Sequence, residues 1–409
     1  MKLPGSANGN FASTLRNGSA PPRKILNKGS VGPQSSADSN TTADTTTNQS
    51  ASVNSNIGIL AWPLNKNKPM QRGNGSMFNY PVKRPKNIKF KSPYHKYLHD
   101  RIWEDFMLPT NRVGLAMVYA IEGVVVYSEG FGFADYETQE KMTSHHVMRI
   151  ASVSKEITDA GLNLLISNKK LSLQDRLFGE GGILEGDFKN TNDVKKHRYL
   201  QMVTIEHCMK HTCGQPWHNL VDDPAFRLTK LDQKQLLQWC IDNRPLTKRP
   251  GGQEYYSNIG YLFLGRVIEK ITGMAYTDYI TKYIMEPIGV TTFQLGNDSK
   301  KDKLEREPTY YSLEFTSSPY AIKVRRADSA FGMVISPQDC TKFAHAWMRP
   351  ASFFRGGING TQTFIYNTRR RHQCAIFLNS RTLEKPAYKQ LIEEFGRKIP
   401  DDQWPGIIS

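Results

Sequence analysis

Apolar residues recur along this chain with two periods, and the places where the period changes mark its elements. From His95 to Met107 the apolar positions Tyr97, Leu98, Ile102, Trp103 and Phe106 follow helical spacing, so the spacing predicts a helix closing onto a sheet. Val113 to Ile121 is dense in apolar and β-branched residues, Glu122-Gly123 supplies a tight turn, and Val124 to Glu129 returns. That pattern predicts a hairpin, and Gly130-Phe131-Gly132-Phe133-Ala134-Asp135 ends its second strand in glycines. A helical stripe follows in Ile157, Ala160, Leu162, Leu164, Leu165 and Ile166, then a polar, mixed-charge stretch to Arg198 that reads as a loop.

Thr204, with Glu206 in the first turn, has the look of a helix cap. Leu231 to Cys240 and Tyr261 to Ile271 are helical by period, the latter stopping at Gly273. The pattern then returns to strands, Thr363 to Tyr366 and Cys374 to Leu378, flanking the basic tip Asn367-Thr368-Arg369-Arg370-Arg371. A last amphipathic helix runs from Tyr388 to Arg397. Strands, a large helical insertion, strands again and a helix argue an α+β layered domain, a central antiparallel sheet flanked by helices, and not alternating βαβ units.

The first ninety or so residues break this patterning. They are rich in Ser, Asn, Thr, Gly and Pro, and Ser35 to Asn56 is almost free of apolar side chains. Such a segment buries too little surface to offset its ordering entropy. The expected organisation is a disordered polar tail over 1–92, one folded domain over 93–399 and a short tail over 400–409. The net charge of +16 weakens as a nucleic-acid signal once it is located. Before Arg101 the only acids are Asp38, Asp44 and Asp100, against Arg23, Lys24, Lys83, Arg84, Lys86, Lys89 and Lys91, so much of the excess belongs to the tail. The reading therefore assigns a solvated basic linker and no nucleic-acid partner.

Cys208, Cys213, Cys240, Cys340 and Cys374 form an odd, irregularly spaced set, unlike a disulfide framework, which points to a reducing compartment. The N-terminus lacks the apolar core of a secretory signal and no window has the length of a membrane span. A cytoplasmic location is expected, with mitochondrial import kept open because the tail is basic, Ser-rich and acid-poor.

The chemistry begins at Ser152-Val153-Ser154-Lys155, at the start of a helical stretch. A serine and a lysine three apart on a helix share one face, so the amine can reach the hydroxyl it would activate without a histidine. Far downstream stands Tyr256-Ser257-Asn258. The ordinary pKa values of lysine and tyrosine lie near 10. Bringing either to neutrality costs about 4 kcal/mol, which burial or a neighbouring charge must supply.

Together with Gly114-Leu115-Ala116-Met117-Val118, Arg149-Ile150-Ala151, Leu171-Ser172-Leu173-Gln174-Asp175, His211-Thr212-Cys213-Gly214, Pro250-Gly251 and Glu269-Lys270-Ile271-Thr272-Gly273, these motifs resemble the serine β-lactamase and penicillin-binding-protein superfamily. The likeness is to its class C-like, esterase-like branch and runs from about Asn111 to Asn379. The resemblance implies a β-lactamase/transpeptidase-like fold, Ser152 as nucleophile through an acyl-enzyme, Lys155 and Tyr256 sharing the general-base work, and Asn258 orienting Lys155 or meeting the substrate. It implies no cofactor and no metal.

One motif departs. Family members place Lys or His, a small residue and Gly on a strand lining the site, and the best match here is Arg355-Gly356-Gly357, continued by Ile358-Asn359-Gly360. Arginine cannot act as a base but can grip a carboxylate, which argues against efficient β-lactam hydrolysis. The N–H groups of Ser152 and Ile358 are the expected oxyanion donors. Between Asp339 and Arg355 only a short helix, Cys340 to Trp347, is expected where relatives carry more, so a sheet strand is expected to be missing.

Two readings follow. One is a serine hydrolase acting on a small ester, amide or peptide; the other is an inactive binding or assembly protein that keeps the fold. Zinc at His207 and His211 is set aside because Glu206 precedes the first histidine, against the H-E-x-x-H order. His218 lies near the same pair in the sequence. Substrate identity and oligomeric state are not readable from the chain.

Overall fold

Strand β1 (Gly114–Ile121) is buried on both faces, and its alternate residues enter two different cores. Leu115, Met117 and Tyr119 point one way and Ala116 the other. This two-sided burial is why the strand reads as a continuous apolar run. The computed structural model describes residues 80–109, 111–217, 222–313, 317–381 and 388–406; most of the expected tail, residues 1–79, lies outside them, as does His218.

The hairpin predicted at Glu122-Gly123 forms as expected. Both turn residues have positive φ, 49° and 86°, the combination that matches the strand twist. The turn leads into β2 (Val124–Asp135), which continues through the glycines that were expected to end it. β3 (Glu140–Lys141) pairs with β2, and β4 (Met148–Arg149), β5 (Gln294–Leu295) and β7 (Met333–Ile335) make a small separate sheet. β6 (Tyr311–Ser312) pairs in parallel with β11 (Ser380–Arg381). β8 (Ser352–Ile358), β9 (Thr361–Asn367) and β10 (His372–Leu378) complete the main sheet in the order β3-β2-β1-β10-β9-β8. The shortened segment before Arg355 therefore leads directly into a full three-strand meander.

The helices of ten residues or more are α1 (Pro93–Ile102), α2 (Ser154–Ser167), α3 (Gln233–Asn243), α4 (Asn258–Thr272), α5 (Pro337–Trp347) and α6 (Tyr388–Lys398). One face of the sheet carries the core formed with α1 and α6, including Leu98, Ile102, Leu391, Ile392 and Phe395. The other carries the larger core built with α2, α3, α4 and α5. Capping follows the sequence: Ser92 caps α1 ahead of Pro93, Ser257 caps α4, and α4 stops at Gly273 with φ 67°, a left-handed conformation that glycine adopts without strain. Thr204 caps the short helix Ile205–Met209 through a reciprocal box with His207.

The segment 80–91, assigned from its composition to the tail, is seated on the domain. The Tyr80 ring lies edge-on to Tyr136 and Tyr311 at 5.3 and 4.7 Å, and Arg84 pairs with Asp100.

Candidate active site

Ser152 sits in a single tight turn, Ala151–Val153, between β4 and α2. Ala151 has φ 46°, a conformation costly for a residue with a side chain and maintained only where the surroundings impose it. Those surroundings are identifiable. The Ile150 carbonyl accepts from Val153 N–H and from the Thr363 hydroxyl of β9, at 3.1 and 2.9 Å, which ties the turn to the sheet.

Lys155, the second residue of α2, is 3% exposed. Its Nζ lies 2.7 Å from Asn258 Oδ1, 2.8 Å from the Ala330 carbonyl and 3.4 Å from Ser152 Oγ. Burial is the main cause that lowers its pKa from 10.5 to about 7, with Asp223, Asp159 and Glu156 opposing the shift. The amine is thus poised near neutrality, the condition its use as a base requires. Rings of Tyr256 and Tyr261, with centroids 4.8 and 5.4 Å away, face the nitrogen and favour its charged form modestly.

Asn258 is oriented by a group that sequence reasoning missed. Its Nδ2 donates to Asp223 Oδ2 at 2.7 Å, leaving Oδ1 for Lys155. Asp223 is 4% exposed, accepts from Ala225 N–H through its other oxygen at 2.8 Å, and is raised in pKa by burial. Asp223-Pro224 is a recognisable cap before a short helix, but nothing local in it points to Asn258. The Ala330 carbonyl was equally invisible, since a main-chain acceptor carries no residue signature.

Tyr256 also comes to Ser152, whose hydroxyl it meets through a hydrogen bond. Burial pushes its phenol up, away from neutrality, so the phenol stays protonated. Against it lies the His211 ring, tilted by 38° with centroids 4.3 Å apart, whose Nδ1 accepts the Ser257 N–H at 3.1 Å; burial lowers the imidazole to about 3, and it remains neutral. His207 Nδ1 accepts the Thr204 N–H at 3.2 Å. Each histidine of the rejected zinc pair is therefore a local fastener. Among the described residues no group of three or more His, Cys, Asp or Glu could hold a metal ion, and all five cysteines are buried free thiols.

The strand expected to close the site does so, with a different residue assignment. A Cβ on Gly356 would fall 2.2 Å from the Ile150 carbonyl and 3.0 Å from Ser152 N, so Gly356 is the glycine against Ser152. Side chains alternate along β8. Phe354 packs on the α2–α5 core and Ile358 is buried within it, while Phe353 packs on the α1/α6 core. Arg355 shares the Phe353 face, cross-strand from Phe364. The arginine proposed to grip a carboxylate is thus carried to the face away from Ser152. Ile358 and Thr361 flank the two-residue turn Asn359-Gly360, and in such hairpins the flanking pair exchanges ladder bonds. The alternation then directs the Gly357 N–H to the open edge of β8.

Residues 99–390 match the protein family described as Beta-lactamase. Penicillin-binding protein 4* of Bacillus subtilis is 29% identical over 177 residues, 43% of this chain and 36% of that protein. The serine beta-lactamase-like protein LACTB, mitochondrial, of Homo sapiens is 25% identical over 240 residues, 45% of this chain and 44% of that one; the matched segments span less than half of these relatives. Among solved structures, D-amino acid amidase from Ochrobactrum anthropi SV3 complexed with D-phenylalanine superimposes with a TM-score of 0.59 at 16% identity, covering 75% of this chain and 98% of the amidase. That likeness shows the fold.

Proposed function

The chain belongs to the β-lactamase family, a superfamily of serine hydrolases, and from that premise we propose that it hydrolyses a small ester, amide or peptide through an acyl-enzyme on Ser152. One observation carries the proposal, the hydrogen-bond set of Lys155. A neutral amine has two N–H donors and one lone pair. Asn258 Oδ1 and the Ala330 carbonyl take both donors, and Ser152 Oγ is the remaining neighbour. The lone pair is left for the serine proton.

In the proposed cycle Ser152 Oγ attacks the carbonyl carbon and its proton passes to Lys155 Nζ. The developing oxyanion is met by the N–H groups of Ser152 and Gly357; Gly357 replaces Ile358 in this role because its N–H faces the open edge beside the nucleophile. The carbonyl bond to the leaving group then breaks, and the Tyr256 phenol donates the proton that the leaving oxygen or nitrogen needs, regaining one from Lys155. Water repeats the sequence to release the acid. Tyr256 is thus assigned as donor and not as base, because burial holds its proton in place. Phe354 occupies the Ser152-facing position of β8 where relatives place a cation, which supports an ester or a neutral amide over a β-lactam. The relatives' names, a penicillin-binding protein and a D-amino acid amidase, favour an acyl carbonyl as the target.

Intact-mass spectrometry after incubation with a fluorophosphonate tests the proposal: one adduct per chain is expected. An unlabelled protein would instead support the fold-keeping binding protein. The rate of p-nitrophenyl ester acylation is expected to rise about tenfold per pH unit below about 7 and to level off above it, since only the neutral amine accepts a proton. A rate independent of pH between 5 and 9 would exclude Lys155 as base. Asp223 raises the Lys155 pKa, so Asp223→Asn is expected to move that limb acidward, read from the same pH series.

A further inference from the structure

On the sheet face away from Ser152, a cavity of about 570 Å³ opens between the β9–β10 tip and α6. Ligand pockets occupy roughly 300–1,000 Å³. Lys389, Ile392, Glu393, Gly396 and Arg397 line it from α6, three, four, seven and eight residues along from the first and so on one helix face. Arg369 and Arg370 line it from the tip, and the Tyr366 ring forms a wall.

The floor is polar and closely packed. The Tyr119 hydroxyl meets His372 Nδ1 at 3.1 Å, and a Cβ on Gly396 would fall 2.7 Å from that hydroxyl and 3.3 Å from Nδ1. Gly396 is thus the point at which α6 packs onto the floor, and a side chain there would push the helix away.

The charge balance is one-sided. Four cations, Arg369, Arg370, Lys389 and Arg397, stand against Glu393 as the only carboxylate lining the cavity. Arg370 is held by the Gly396 carbonyl and by Asp401, while Glu393 accepts the Tyr366 hydroxyl at 2.6 Å. Arg369 and Arg397 have no ion pair or hydrogen bond among the described residues. Like charges around a concave wall raise the local potential for an anion, and two guanidinium forks can share the oxygens of one phosphate, which offers more acceptors than a carboxylate or a halide. Lys389 Nζ lies 5.9 Å from the centroid of the buried Tyr366 ring, which places a further cation on the same wall.

We infer that this pocket binds a phosphate-bearing ligand, with Arg369 and Arg397 on the phosphate. The phosphate comes either from a soluble phosphomonoester or from a lipid headgroup. Calorimetry on the full chain with adenosine monophosphate, and co-sedimentation with phosphatidylcholine vesicles containing or lacking phosphatidic acid, separate the two sources. Binding in one arm that weakens at least tenfold in an Arg369→Glu/Arg397→Glu double variant is expected; both residues are exposed, and thermal melting of the variant confirms that it folds. Absence of binding in both arms, or binding that the double reversal leaves unchanged, as attachment through the basic N-terminal residues would be, overturns the inference.

Discussion

Replacing Lys155 by methionine is expected to lower acylation by about 10⁴-fold while leaving the fold in place. Deleting one member of a nucleophile–base pair removes most of the catalysis the pair supplies. Methionine matches the stem of lysine and stays apolar among Tyr256, Tyr261 and the α4 packing.

Two opposing terms set the stability of that variant. A pKa lowered from 10.5 to about 7 means the folded state resists protonation. The penalty is fully present below about pH 7, where it approaches 5 kcal/mol, and disappears as pH rises toward 10.5. Methionine removes this penalty but strands Asn258 Oδ1 and the Ala330 carbonyl, each at a cost of about 1–3 kcal/mol. The variant is therefore expected to melt within a few degrees of the parent at pH 6 and to lose ground relative to it at pH 9. Ser152→Ala provides the matching chemical control, abolishing the fluorophosphonate adduct with little effect on melting. A Lys155→Met protein that keeps more than a tenth of the parental acylation rate would remove the lysine from the mechanism.

The second large effect is expected at Gly356. Its Cα approaches the Ile150 carbonyl so closely that an alanine Cβ would lie 2.2 Å from a main-chain oxygen and 2.5 Å from Thr363 Oγ1. The nearest contact and the third, the Ile150 carbonyl and Ser152 N, are main chain of one turn, so β8 must move away from that turn. Overpacking of this kind costs about 1–3 kcal/mol, and displacing an oxyanion donor by an ångström costs about 10²-fold in rate. Gly357→Ala is the contrast, because its Cβ would meet the end of the Arg381 side chain at 3.3 Å, a neighbour able to shift. Thermal melting and single-turnover acylation of both variants decide the point. Equal losses in the two would mean that Gly356 does not set the distance between strand and nucleophile.

The correct parts of the sequence reading share a physical basis, which is locality. The β1–β2 hairpin, the capping by Thr204, the stop at Gly273 and the pairing of Ser152 with Lys155 each depend on residues within a turn or two of one another. Side-chain period determined β9, β10 and the last helix for the same reason. Arg355 was misjudged because its neighbours in sequence could not show which way the strand faces. That depended on Phe353, Phe354 and Ile358 choosing between two cores.

Thus the chain alone determined that a serine and a lysine share a helix face at the head of α2, within an α+β domain. The tertiary structure decided what that lysine can do. Its proton affinity depends on the total desolvation by α2, α4 and the turn at Ala330, tempered by Asp223 from another segment. Burial likewise kept the proton on Tyr256 and chose the face on which Arg355 lies. Such quantities are sums over elements distant in sequence, so no window of the chain contains them.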